Sequence, residues 1–97
     1  MQSTLPTPAT PGQVSLQLKF SADSWVEVFD GSGKAVIYDL GKAGSERTVT
    51  AAAPISVTLG NASGVRVTVN GREAAPPRLA DEGTMTRFSI AGDGSVH

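Results

Sequence analysis

The chain has 97 residues, with 8 Lys+Arg against 9 Asp+Glu, one His, no Cys, 11 Gly and 6 Pro. With 39% hydrophobic and 18% charged residues it has the composition of one small globular domain, not of a disordered or fibrous chain. A formal net charge of -1 argues against binding nucleic acid or an anionic membrane by bulk charge, and the lack of cysteine removes disulfides, thiolate zinc sites and thiol catalysis together.

Residues 1–13 form a Pro/Thr-rich linker. Pro6, Pro8 and Pro11 interleave with Thr4, Thr7 and Thr10, and no charged residue precedes Lys19. Repeated proline favours polyproline II geometry, so this segment is expected to be a semi-rigid tether. Its abrupt start at Met1 suggests the cut edge of a longer protein. No apolar run approaches the roughly 18 residues of a membrane span.

From Val14 the hydrophobic period becomes two. Val14, Leu16, Leu18 and Phe20 alternate with polar residues, as a half-buried strand requires. Residues 24–30 and 35–40 form two further runs, and 46–52 a weaker one. Residues 55–59 and 65–69 alternate strictly, presenting Ile55, Val57, Leu59 and Val65, Val67, Val69 on their inner faces. The last run, 84–90, places Thr86, Phe88 and Ile90 on one side. The stretch Pro77–Gly83 has room for one helical turn, and no segment sustains a helical period.

Turn chemistry separates these runs. Asp30-Gly31-Ser32-Gly33, Lys42-Ala43-Gly44-Ser45, Asn61-Ala62-Ser63-Gly64 and Asn70-Gly71 all supply residues that tolerate positive φ. Gly60 and Asn61 are likewise expected to begin a turn with positive φ. The fold class is therefore all-β, a small antiparallel sandwich, Ig-like or similar, of about seven short strands over residues 14–91. Residues 92–97, with the lone His97, are expected to be a flexible tail.

Catalysis is not expected. One terminal histidine and no cysteine leave no triad or zinc set, and most acids sit in or beside turns. Asp30-Gly31-Ser32-Gly33 lacks the alternating oxygen ligands of a calcium loop. Gly31-Ser32-Gly33-Lys34 lacks the spacing and following helix of a phosphate loop. No cofactor and no metal are expected.

One face is ambiguous. Trp25, Glu27 and Phe29 share one side of the second strand, and Val26 and Val28 the other. A turn closed by Gly33 as a bulge pairs Asp30 with Lys34. Continued regularly, that register groups Val26 and Val28 with Val36, Tyr38 and Leu40 as a core face, and Trp25, Glu27 and Phe29 with Ala35, Ile37 and Asp39. A lone tryptophan in a small β domain is expected first in the core. The functional alternative is a docking patch built on Trp25, Glu27 and Phe29, and a glycan platform is a third choice that this aromatic-poor chain suits less. Strand 14–20, following the tether, is also a candidate edge for self-association.

The run Ser24-Trp25-Val26-Glu27-Val28-Phe29-Asp30, then Gly33-Lys34, Leu40 and Ala43-Gly44, resembles a known family. Ala53-Pro54-Ile55-Ser56-Val57-Thr58-Leu59-Gly60-Asn61-Ala62, then Val65, Val67, Asn70-Gly71 and Thr86-Arg87-Phe88-Ser89-Ile90, continue the match. Over residues 14–90 the chain resembles the C-terminal periplasmic domain of RodZ, the bitopic protein of the bacterial rod-shape machinery. The resemblance implies a longer protein with a cytoplasmic helix-turn-helix domain that binds MreB, one membrane span, a Pro/Thr-rich linker and this β domain. It implies a periplasmic location on the inner membrane, anchored through the span that this sequence lacks. Protein partners such as MreC or wall-synthesis enzymes are implied, with peptidoglycan as the alternative and no nucleic acid for this part of the protein.

Overall fold

A computed structural model of the chain describes residues 12–74 and 85–97. Most of the expected linker and the helical turn expected at Pro77–Gly83 lie outside the described residues. Among the described residues eight strands follow in chain order: β1 (Gln13–Phe20), β2 (Ser24–Phe29), β3 (Ala35–Gly41), β4 (Glu46–Ala52), β5 (Ile55–Leu59), β6 (Val65–Val69), β7 (Arg72–Ala74) and β8 (Thr86–Ile90). They form two four-stranded sheets, β4-β1-β6-β7 and β3-β2-β5-β8, with every pair antiparallel. The expected all-β sandwich is present, and the strand beyond the expected seven is the short β7.

The two-residue period builds the core directly. Leu16 and Leu18 of β1 face inward with Val67 and Val69 of β6, and meet Val26 and Val28 of β2 and Ile55, Val57 and Leu59 of β5 in one buried cluster. Phe88 and Ile90 complete it from β8. The 3₁₀ turn Ala62–Gly64 carries the chain from β5 to β6.

Three expectations need correction. Strand β1 is central in its sheet, because β4 and β6 pair with it on either side, so it offers no edge for self-association. Gly60 and Asn61 are not at positive φ, and Asn61 has φ -134°. The turn there is a 3₁₀ turn, whereas Gly33, Gly44, Asn70 and Gly71 do adopt positive φ. The end of the chain, expected as a loose tail, folds back onto β8. Ile90 bridges Val96, and Ser89 and His97 exchange two backbone hydrogen bonds of 3.1 and 2.9 Å.

The β2–β3 hairpin decides which side chains face outward. Asp30 and Lys34 pair as expected, with Asp30 N–H donating to Lys34 O at 2.9 Å and Gly33 at φ 87°. A second irregularity then follows: Phe29 opposes Ala35 but Val28 opposes Ile37, so Val36 is an extra residue on β3. This bulge shifts the remaining register by one and reverses the expected faces. Ile37 and Gly41 turn inward, and Tyr38 and Leu40 turn out. The reason lies across the sandwich. A Cβ on Gly41 would overlap the Phe20 ring, whose nearest carbons lie 2.3 and 2.4 Å from that position. The ring fills the inward space at the end of β3, so that place accepts glycine and not leucine.

Candidate functional site

The outer face of the β3-β2-β5-β8 sheet carries the exposed large apolar side chains of the described residues. Trp25 is 39% exposed, Tyr38 61% and Leu40 39%. The register sets Trp25 opposite Leu40 and Glu27 opposite Tyr38, and Thr58 and Arg87 extend the second row across β5 and β8. Phe29 lies on the same face, half-buried, opposite Ala35 and Ser56. The sheet thus brings the three expected residues Trp25, Glu27 and Phe29 to one face. Trp25 is not the core residue first expected.

The geometry around Trp25 is fixed from three sides. Its ring meets Tyr38 edge to face, with centroids 5.3 Å apart and planes at 85°. Its indole Nε1–H donates to Glu27 Oε2 at 2.8 Å, so the one polar atom of the ring has a partner while the apolar surface stays open to solvent. Its backbone oxygen accepts from Gly60 N–H at 2.9 Å. A Cβ on Gly60 would stand 3.3 Å from Trp25 Cβ, so glycine lets β5 leave the sheet tightly beside the tryptophan.

The next residue anchors the start of β2. Ser24 is 3% exposed, and its Oγ accepts from Asn61 N–H at 3.0 Å while donating to Trp25 O at 3.1 Å. Asn61 Nδ2 donates to Asp23 O at 3.2 Å, and Asp23 Oδ1 accepts from Ala43 N–H at 2.8 Å. Leu59-Gly60-Asn61-Ala62 therefore acts on the face through hydrogen bonds to the backbone that presents Trp25.

The side of the sandwich next to this face is closed by charge. Arg47 on β4 pairs with Asp39 on β3 at 2.9 Å, joining the edges of the two sheets. The Arg47 guanidinium hydrogen-bonded to Asp39, together with the Leu40 N–H that the same carboxylate accepts, lowers the Asp39 pKa from its ordinary value. At the other end of β3, Asp30 accepts from Ser32 Oγ at 2.7 Å and from the N–H groups of Ser32 and Lys34. Those bonds, led by the Ser32 hydroxyl, lower its pKa too. This aspartate closes a turn, and no metal-ligating cluster occurs among the described residues.

Tyr38 and Leu40 are the members of the patch that sequence reasoning placed in the core. Strict alternation of Val36, Tyr38 and Leu40 pointed inward, and only the bulge at Val36 undoes it. The signal available in the sequence was Gly41, an unneeded glycine at the end of a strand if Leu40 were the inward residue. Two shallow surface depressions lie elsewhere, along β7: one is lined by Lys19, Phe20, Arg66 and Glu73, and the other by Asn70, Arg72 and Asp93. Neither reaches Trp25.

No solved structure matches the chain. A family model does. The RodZ C-terminal domain matches residues 17–89, from β1 through all but the last residue of β8. The stretch includes the Ser24–Phe29 strand, the Leu59–Ala62 anchor and the whole exposed face. This chain belongs to the RodZ C-terminal domain family.

Proposed function

We propose that this domain is a non-enzymatic, periplasmic protein-interaction module of the bacterial cell-elongation machinery. It docks a protein partner, MreC or a wall-synthesis enzyme, through the outer face of the β3-β2-β5-β8 sheet. In the full-length protein a membrane span anchors it at the inner membrane. The observation that carries this reading is the exposed cluster of Trp25, Tyr38 and Leu40, held in fixed geometry on a rigid sheet. Large apolar side chains kept in place without burial, with Glu27 and Arg87 in the row beside them, make the centre and rim of a protein interface. Family membership supports the link to cell shape.

Peptidoglycan is the weaker ligand for this face. Sugar rings stack on aromatic faces lying side by side in one plane, and the Trp25 and Tyr38 planes stand at 85°.

The test is the double variant Tyr38→Ala, Leu40→Ser in the full-length protein. Both side chains are exposed, so the domain is expected to fold with an unchanged far-UV spectrum and melting curve. Cells carrying it are expected to lose rod shape, and the protein to lose co-purification of its elongation-complex partner. Normal shape with full partner retention would refute the assignment of this face.

A further inference from the structure

The two residues that carry the exposed patch on β3, Tyr38 and Leu40, also hold the open backbone of that strand. We infer that the protein partner adds an extended segment as a further strand along the free edge of β3, its backbone bonded to Tyr38 and Leu40. The inference rests on the reading of the outer face as a docking surface and states how the partner engages it: by strand pairing, through a segment of alternating apolar and polar residues.

The direction of the backbone groups follows from three hydrogen bonds. Trp25 O accepts from Gly60 N–H at 2.9 Å, so Trp25 directs its backbone toward the β5 side. Backbone groups alternate sides along a strand, so Val26 and Val28 direct theirs toward β3, where they oppose Asp39 and Ile37. Asp30, in the same phase, does likewise and donates its N–H to Lys34 O at 2.9 Å. Asp39 and Ile37 therefore point back at β2, and Tyr38 and Leu40 point the other way. Leu40 N–H obeys this, donating to Asp39 Oδ1 at 2.7 Å. Because β3 is the last strand of its sheet among the described residues, Tyr38 N–H, Tyr38 O and Leu40 O face an edge that no strand covers.

The other edges differ. β7 has only three residues. The edge of β8 is partly covered, because Val96 bridges Ile90 and His97 exchanges hydrogen bonds with Ser89. β4 is as long as β3, but its exposed residues are Glu46, Thr48, Thr50 and Ala52. Edge strands are commonly guarded by lysine, proline, a bulge or an inward charge. From Ile37 to Gly41, β3 carries no lysine, proline or bulge, and its one charge, Asp39, is already paired with Arg47 at 2.9 Å. An added strand satisfies the open backbone groups, and its alternate side chains supply specificity. Those on the outer side lie against Tyr38 and Leu40, which follow each other at roughly 7 Å along the strand, so apolar residues fit there. Those between them face the Asp39–Arg47 pair, so polar residues fit there.

The test is hydrogen–deuterium exchange, read residue by residue, on the full-length protein alone and in complex with the elongation-complex partner that co-purifies with it. The Tyr38 amide is expected to exchange as an open amide in the protein alone and to slow by roughly tenfold or more in the complex, the effect of one added hydrogen bond. Tyr38→Pro beside Tyr38→Ala gives a second readout. Both variants lose the ring, proline alone lacks the N–H, and an edge strand accepts proline where that N–H faces solvent. With melting curves showing both variants folded, Tyr38→Pro is expected to bind the partner roughly tenfold more weakly than Tyr38→Ala; where Tyr38→Ala already loses the partner, exchange decides. A Tyr38 amide as fast in the complex as in the protein alone would overturn the inference and leave the docking face standing, since the partner would cover the side chains without adding a strand. Slow Tyr38 exchange in the protein alone that strengthens with its concentration would also overturn it, the occupant then being a second copy. Full partner retention by Tyr38→Ala, Leu40→Ser, or no retention by the wild type, would refute the reading of the face and take this inference with it.

Discussion

Ser24→Ala tests whether the Leu59–Ala62 segment holds the aromatic face through one hydroxyl. Ser24 is 3% exposed, so its Oγ cannot be replaced by bulk water at little cost. Removing it deletes the bond accepted from Asn61 N–H at 3.0 Å and the one donated to Trp25 O at 3.1 Å. The Trp25 oxygen keeps a partner in Gly60 N–H, at 2.9 Å, but the part-buried Asn61 N–H loses the acceptor that the serine supplied. Leaving such a donor unsatisfied costs about 1–3 kcal/mol. In a domain of this size each kcal/mol shifts the melting temperature by about 4–8 °C, so a drop of about 4–24 °C is expected. The assay is thermal and urea unfolding of Ser24→Ala beside Ser56→Ala, a serine on the same sheet that is exposed. A Ser24→Ala change no larger than that of Ser56→Ala would refute the anchoring role.

Gly41→Ala is expected to destabilise by about 1–3 kcal/mol through overpacking, because the new Cβ would overlap the buried Phe20 ring; urea unfolding measures it, and the double variant Gly41→Ala, Phe20→Leu should recover part of the loss. Central placement of β1 predicts that the Leu16, Gln17 and Leu18 amides, in a strand paired with both β4 and β6, exchange hydrogen only on global opening, slowest in the domain by native-state exchange. Asp30, Asp39 and Asp93 all have pKa values below the ordinary 3.8. A depressed carboxylate contributes stability that is fully present above its unfolded pKa and is lost as the pH falls through the folded one. Stability is therefore expected to hold from neutral pH down to about 4 and to fall below it; Asp30→Asn should flatten that acid limb in urea melts at pH 3 and pH 7.

The sequence by itself determined the elements. Alternation at Val14–Phe20, Ile55–Leu59 and Val65–Val69 depends only on the two-residue period of a strand with one buried face. Those residues are in the core of the structure, apart from the half-buried Val65. Turns at Gly33, Gly44 and Asn70-Gly71 were legible for a similarly local reason, since few residues accept positive φ. The grouping of Trp25, Glu27 and Phe29 on one face followed from the same period.

Tertiary structure decided what that face looks out on. Periodicity does not report an inserted residue until the partner strand is in place, so Val36 read as an ordinary inward position. Only the packing of Phe20 over Gly41 shows why β3 bulges and why Tyr38 joins Trp25 in solvent. Strand order was equally hidden, because β1 lies between β4 and β6 through contacts far apart in the chain. Local chemistry fixed which residues share a face of each strand. The long-range packing of one ring against one glycine fixed which of them this domain presents to solvent.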